Sequence, residues 1–182
     1  MKNSIRSLEL LQHSRHDWMN RLQVIKGNIE LSNIDRAKKV IEEIIIEVRQ
    51  EAQLSSLGVP RFSEWLLTYN WNRSARLFVK YELLNEGQIP QEMDTTIFEW
   101  TKKVVDKIEK SVPDEVNNEL YLFFKVDQEK SSIQITLEYD GHPLSSAPED
   151  LMSDLGGPEL EWEVSSKTEF IVVATFTLEQ QD

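Results

Sequence analysis

The chain has 182 residues, a formal net charge of −12 and no cysteine. That length allows one large domain or two small ones, and 40% hydrophobic content suffices for a sizeable core. The missing cysteines exclude disulfides and thiolate metal or redox sites. The charge is uneven: residues 1–58 hold nine Lys/Arg against eight Asp/Glu, and the remainder holds eleven against 24. This argues against nucleic acid as a partner, because a phosphate backbone needs clustered Lys and Arg.

The first residues open straight into a helical pattern. No apolar run is long enough for a signal peptide or a membrane span, so a cytoplasmic protein with no membrane partner is expected. Leu8, Leu11, Arg15, Trp18, Leu22, Ile25 and Ile29 step by three and four in alternation, a heptad seam with Arg15 as its one polar member. A helix is predicted from about residue 4 to 31. Ser32-Asn33-Ile34-Asp35 then supplies turn and capping chemistry. A second helix follows with Ala37, Ile41, Ile44, Val48 and Ala52 on one face, broadened by Val40 and Ile45. It stops near Leu57, where Gly58 is a good cap and Pro60 forbids continuation. Two helices joined by a short turn make an antiparallel hairpin. Each has an apolar face wider than one partner can cover, so a homodimeric four-helix bundle is predicted for residues 1–58. The alternative is a hairpin folded back on the rest of the chain.

Residues 59–182 read as a separate α/β unit. A helix is predicted over 62–74 and a strand over 77–83. A second helix is predicted over 95–111, with Ile97, Trp100, Thr101, Val104, Val105 and Ile108 inward. Strands are predicted at 120–126, 133–139 and 170–178, with 159–164 as a further candidate. Helices segregated from mostly antiparallel strands make a two-layer sandwich, so the whole chain is expected to be α+β.

The chemistry concentrates in the first helix. His16, Asn20, Gln23 and Gly27 follow at steps of four, three and four and share one face. An imidazole on a polar stripe, beside an apolar stripe, can hold a phosphoryl group and show it to a docking protein. Phosphoryl carriage needs only a neutral ring nitrogen open in line to the donor phosphorus. A receiving aspartate brings its own acidic pocket and Mg²⁺, so the chain needs no cofactor or metal of its own. A single exposed histidine on a helix is more often without function. Asp17, Asn20 and Gln23 are each unremarkable as surface residues. Gly27 is harder to dismiss, because a glycine inside a helix costs about 1 kcal/mol against alanine. It marks either a close approach on the His16 face or a tolerated flaw. His13, one turn earlier, is the rival candidate, and His142 lies in a turn. No His-Glu-x-x-His, Gly-x-Ser-x-Gly or Gly-rich phosphate loop occurs. Arg15, Asp17, Asn20, Gln23, Val24 and Gly27 are the candidate docking residues around His16 for a partner protein.

Arg15-His16-Asp17-Trp18-Met19-Asn20-Arg21-Leu22-Gln23 resembles the phosphoacceptor helix of two-component sensor kinases of the His-Asp-x-x-Asn-x-Leu-Gln type. Within that group the whole chain resembles the sporulation initiation phosphotransferase B family, most specifically in its first helix. The resemblance implies that His16 is phosphorylated, that the hairpin forms a dimeric four-helix bundle, and that residues 59–182 are a degenerate histidine-kinase ATPase domain. It further implies transfer from the aspartate of a single-domain response regulator to the aspartate of a sporulation transcription factor. Kinases of this fold carry Asn-x-x-x-Asn on a helix to hold Mg²⁺ and nucleotide phosphates. Here the matching positions are Lys103 and Lys107, and an ammonium cannot ligate Mg²⁺. Asp140-Gly141-His142 stands where the next glycine motif is expected, and Gly156-Gly157 is the only trace of a lid. ATP binding is therefore expected to be lost. The alternatives are a histidine kinase core that lacks a sensor and autophosphorylates with ATP, and a non-catalytic dimeric scaffold in which His16 is incidental.

Overall fold

The computed structural model describes residues 2–71, 76–113 and 118–177, and their side chains apart from those of residues 2–11 and 13. The seam positions Leu8 and Leu11, the rival His13, and the predicted element ends at Ser74 and Leu178 therefore lie outside the described side chains or residues. The chain forms two compact units, residues 1–50 and 51–182.

The first unit is a helical hairpin. Helix α1 runs Lys2–Glu30 and α2 runs Ile34–Ser56. Between them Ser32 takes a positive φ of 59°, its amide donates to the Ile29 carbonyl at 2.9 Å, and Asn33 donates to Asn28 at 2.8 Å. These bonds satisfy carbonyls that the end of α1 leaves open. An Arg21–Glu47 ion pair ties the two helices together. Ala37 and Val40 are buried, whereas Trp18, Leu22, Ile29, Ile41, Ile45 and Val48 are exposed. Among its described side chains the hairpin thus leaves many large apolar residues uncovered.

The second unit is a two-layer α+β sandwich. It takes in the last turn of α2, because Leu54 and Leu57 are fully buried in its core. Gly58 has φ +87°, and a Cβ there would stand 2.8 Å from the Ile89 carbonyl oxygen, so both turn and packing require glycine. Helix α3 (Pro60–Tyr69) opens on that proline. Its first free amides are satisfied from a distance: Arg61 and Phe62 donate to the Asp94 carboxylate at 3.0 and 2.9 Å. The helix stops before the predicted residue 74 because Asn70 turns to the neighbouring strand. Its side chain donates to the Val79 carbonyl and accepts from the Val79 amide.

Strand β1 (Leu77–Leu83) is followed by a 3₁₀ turn at Gln91–Met93 and α4 (Asp94–Ser111). All six inward positions predicted on α4 are buried. Strands β2 (Asn118–Asp127) and β3 (Ser132–Asp140) precede a short helix α5 (Pro148–Met152), which the sequence did not announce, then β4 (Glu159–Ser165) and β5 (Glu169–Thr177). The sheet order is β1-β2-β3-β5-β4. Its β1–β2 pairing is parallel and the others are antiparallel. The parallel pair follows from the connection, since α4 carries the chain across between the two strands. Leu120, Leu122 and Phe124 on β2, Ile133, Ile135 and Leu137 on β3, and Phe170, Val172 and Phe176 on β5 point to one face and are buried. They share a core with Phe62 and Leu66 of α3 and Ile97, Val104 and Ile108 of α4.

Candidate functional site

The site is built on α1 alone. At 3.6 residues per turn, His16, Asn20, Gln23 and Gly27 stack along one face. The seam residues Trp18, Leu22 and Ile29 lie roughly 150° round the same helix. A partner covering the seam therefore leaves His16 open. The His16 side chain is 64% exposed and that of Asp17 55%. Arg15, Asn20, Gln23 and Val24 are also exposed and Gly27 is half-buried. Five of the six residues named around His16 are thus exposed and Gly27 is half-buried; Asp17 and Val24 flank the stripe on one side, and Arg15 lies on the other, in the seam. Met19, on the side of the stripe toward the seam, is 51% exposed and leaves apolar surface beside the stripe.

One ring nitrogen is engaged. The Asn20 carboxamide nitrogen stands 3.1 Å from His16 Nδ1, one helical turn along, within hydrogen-bond distance. Asp17 Oδ1 lies 3.8 Å from the same nitrogen, too far for a direct bond. Among the described residues Nε2 has no hydrogen-bond partner. The i, i+4 spacing carried the signal for the Asn20 contact, but the sequence reading assigned Asn20 only to docking. A Cβ added at Gly27 would meet nothing within 4 Å, so no contact among the described residues calls for glycine there.

In the second unit, the two lysines at the expected asparagine positions sit one turn apart on α4. Lys103 is exposed, and Lys107 makes an ion pair with Asp154 in the turn after α5. That ammonium holds the Asp154 carboxyl below the usual carboxylate range. Gly157 has φ +103°, and its Cα faces the Trp100 indole so closely that a Cβ would stand 3.1 Å from Cδ1. Trp100 of α4 and Gly157 are therefore packed on one another, whereas a Cβ at Gly156 would meet nothing within 4 Å. Among the described residues no three His, Asp or Glu side chains converge as a metal site.

The alpha-helical domain of the sensor kinase SpoOB type matches residues 1–57, and the C-terminal domain of sporulation initiation phosphotransferase B matches residues 58–172. The chain is 34% identical over 134 residues to sporulation initiation phosphotransferase B of Bacillus subtilis (strain 168), covering 74% of this chain and 69% of that relative. This chain belongs to the sporulation initiation phosphotransferase B family. Membership makes it a phosphotransferase of a sporulation phosphorelay. Among solved structures, a blue-light activated histidine kinase of Erythrobacter litoralis is similar with a TM-score of 0.48 and 18% identity, over 95% of this chain and 60% of that one. The histidine kinase AdeS of Acinetobacter baumannii is similar with a TM-score of 0.44 and 10% identity, over 91% and 98%. Among the described residues of this family member, no helix is long and apolar enough to cross a membrane.

Proposed function

We propose that the chain carries a phosphoryl group on His16, taken from the aspartyl phosphate of a single-domain response regulator and passed to the aspartate of a response regulator that is a sporulation transcription factor. The observation that carries this reading is an exposed imidazole on the face of α1 turned away from the apolar seam, with no hydrogen-bond partner at Nε2 among the described residues. A lone pair on that nitrogen attacks the phosphorus, the phosphorus–oxygen bond to the aspartate breaks, and the carboxylate leaves with the electron pair. The reverse sequence delivers the group to the second aspartate. The Mg²⁺ that steadies the leaving carboxylate sits in the acidic pocket of the response regulator, and this chain contributes no cofactor. Arg15, Asp17, Asn20, Gln23, Val24 and Gly27 form the docking surface. Two copies pair through Trp18, Leu22, Ile29, Ile41, Ile45 and Val48 into a four-helix bundle, whose large uncovered apolar surface supports the homodimer. The absence of cysteine suits work in a reducing cytoplasm.

Loss of ATP-dependent kinase activity is part of the proposal. It is supported by Lys103 and Lys107 at the positions where related kinases hold Mg²⁺ through asparagine, and by the Lys107–Asp154 pair that occupies one of them. The test uses the purified chain, a phosphorylated response regulator and labelled ATP. Label should pass from the regulator to the wild-type chain as an acid-labile phosphohistidine, and not to His16→Gln. Labelled ATP alone should leave the chain unlabelled. Transfer that survives in His16→Gln sinks His16 as carrier, and autophosphorylation from ATP restores the kinase reading.

A further inference from the structure

We propose that the face of the sheet turned away from α3 and α4 is a docking surface for a basic amphipathic helix of another protein. The side chains of that face alternate with the buried ones along each strand, and the pairing register lines them up in rows. Glu82, Phe123, Thr136, Val173 and Glu161 make one row from β1 to β4. Lys80, Tyr121, Glu138, Ile171 and Val164 make the next, and none of these side chains is buried. An antiparallel sheet with one solvated face ordinarily carries polar residues there. Here Tyr121 and Phe123 stack with ring centroids 6.4 Å apart on one side of β3. On its other side stand Ile171 and Val173, and a bulge between Trp162 and Val164 brings Val164 in beside Ile171.

The charges of this face are mainly acidic and mainly unpaired. Glu119, Asp140 and Glu169 stand opposite one another on β2, β3 and β5. Like charges in that arrangement repel. Of the three, only Glu119 has a counter-ion among the described residues, Lys80 at 2.7 Å. Glu82, Glu138 and Glu161 have no ion pair among the described residues. This pattern selects the occupant. A second copy would bring the same carboxylates, and an anionic membrane or a nucleic acid would be repelled as well. The chain's own residues 1–58 are near neutral, with nine Lys/Arg against eight Asp/Glu. Strand addition is obstructed at both edges of the sheet. Asn70 bonds both backbone groups of Val79 on β1, and β4 is bulged and bears Glu159 and Glu161. A helix does fit the face. Glu82 and Glu161 stand four strand spacings apart, about 19 Å. That width spans a helix of about 10 Å with a Lys or Arg reaching outward on each flank. The apolar stripe of such a helix covers Tyr121, Phe123, Ile171 and Val173, and its cations meet the unpaired carboxylates.

The experiment uses the full chain and two synthetic helical peptides of about five turns. Both carry a leucine stripe, flanked by lysine and arginine in one and by glutamate in the other. Calorimetry measures binding, and amide and side-chain NMR shifts map the contact. The basic peptide is expected to saturate one site and to shift the outward residues of β2, β3 and β5, and the acidic peptide to leave the chain unbound. Glu82→Lys with Glu161→Lys should weaken binding about tenfold, as two exposed attractions turn to repulsion. Glu149→Lys with Asp150→Lys, the same charge change placed on α5, should alter it by less than about twofold. Phe123→Ser should weaken binding about fivefold at unaltered charge. Val173→Thr, close in shape and at home in a strand, should weaken it about twofold with the sheet intact. Equal weakening by the two charge reversals reduces the attraction to net charge and overturns the proposal. Binding indifferent to Phe123 and Val173, shifts on another surface, binding of the acidic peptide, or no binding of the basic one overturns it too. Shifts of these residues that depend on chain concentration without peptide give the face to a second copy, and binding to phosphatidylglycerol vesicles through it gives the face to a membrane; either result replaces the proposed occupant.

Discussion

Gly27→Ala separates the stability of the hairpin from its use. Gly27 stands inside α1, three residues before the helix ends at Glu30, and its carbonyl accepts from the Leu31 amide at 3.0 Å. Glycine here weakens the helix by about 1 kcal/mol relative to alanine, through backbone freedom lost on folding. The added methyl has no steric cost, since nothing lies within 4 Å of its position. Each copy therefore gains about 1 kcal/mol, and the proposed two-copy bundle about 2 kcal/mol. A gain of that size raises the melting temperature of a small domain by several degrees. The melt is followed by circular dichroism at one fixed chain concentration, because an assembling protein melts at a temperature that depends on concentration. Amide exchange over residues 20–30 localises the gain to α1. Transfer should slow at the same time, because the methyl stands on the His16 face about 16 Å along the helix, inside the footprint of a docked regulator. A lower melting temperature, or faster exchange in α1, would refute the reasoning from open space. A gain in stability with transfer at the wild-type rate would make Gly27 a tolerated weakness and end the docking surface short of it.

Three further outcomes concern the second unit. Asp94→Ala leaves the Arg61 and Phe62 amides at the start of α3 without their acceptor, and should cost about 1–2 kcal/mol in urea unfolding, with Asp94→Asn recovering part. An unchanged midpoint in the alanine variant would show that water replaces the carboxylate. Thr101 is fully buried and its hydroxyl has no partner among the described residues, so Thr101→Val, close to it in shape, should stabilise by about 1 kcal/mol. A destabilised valine variant would mean that the hydroxyl is bonded after all. Burial, and then the charge of Asp140, push the Tyr139 hydroxyl up to about 12, and Tyr69 is raised as well, by burial and by Glu109. A folded value above the unfolded one gives stability that is complete below about pH 10 and is lost as pH rises toward 12. The urea midpoint should fall across that window. Tyr139→Phe should flatten the fall, even though it also loses the 2.7 Å bond to the His142 carbonyl; an equally steep fall would assign the loss to other groups.

Much of the fold was legible because its signals are local. The inward face of α4, the alternation in β2, β3 and β5, and the stop at Gly58 and Pro60 each follow from periodicity or from one residue's backbone preference. What was missed depended on distant residues. Helix α3 ends early because Asn70 meets Val79, nine positions on, and it begins where it does with help from Asp94, 33 positions after Arg61. The short α5 has only five residues and no period to read. At the candidate site the same division holds. The stacking of His16, Asn20, Gln23 and Gly27 was visible as spacing, whereas the choice of Nδ1 as the nitrogen that Asn20 meets depends on side-chain rotamers.

Taken by itself, the sequence determined a helical hairpin with an exposed histidine stripe, an α+β unit behind it, and the family to which both belong. Periodicity, turn residues and one specific motif suffice for these, since each acts over a few neighbouring positions. Only the tertiary structure decided that Leu54 and Leu57 serve the second core, that β1 pairs in parallel with β2, and that Lys107 is held by Asp154. Those outcomes depend on which surfaces meet once the chain has closed on itself, and spacing along the chain does not encode them.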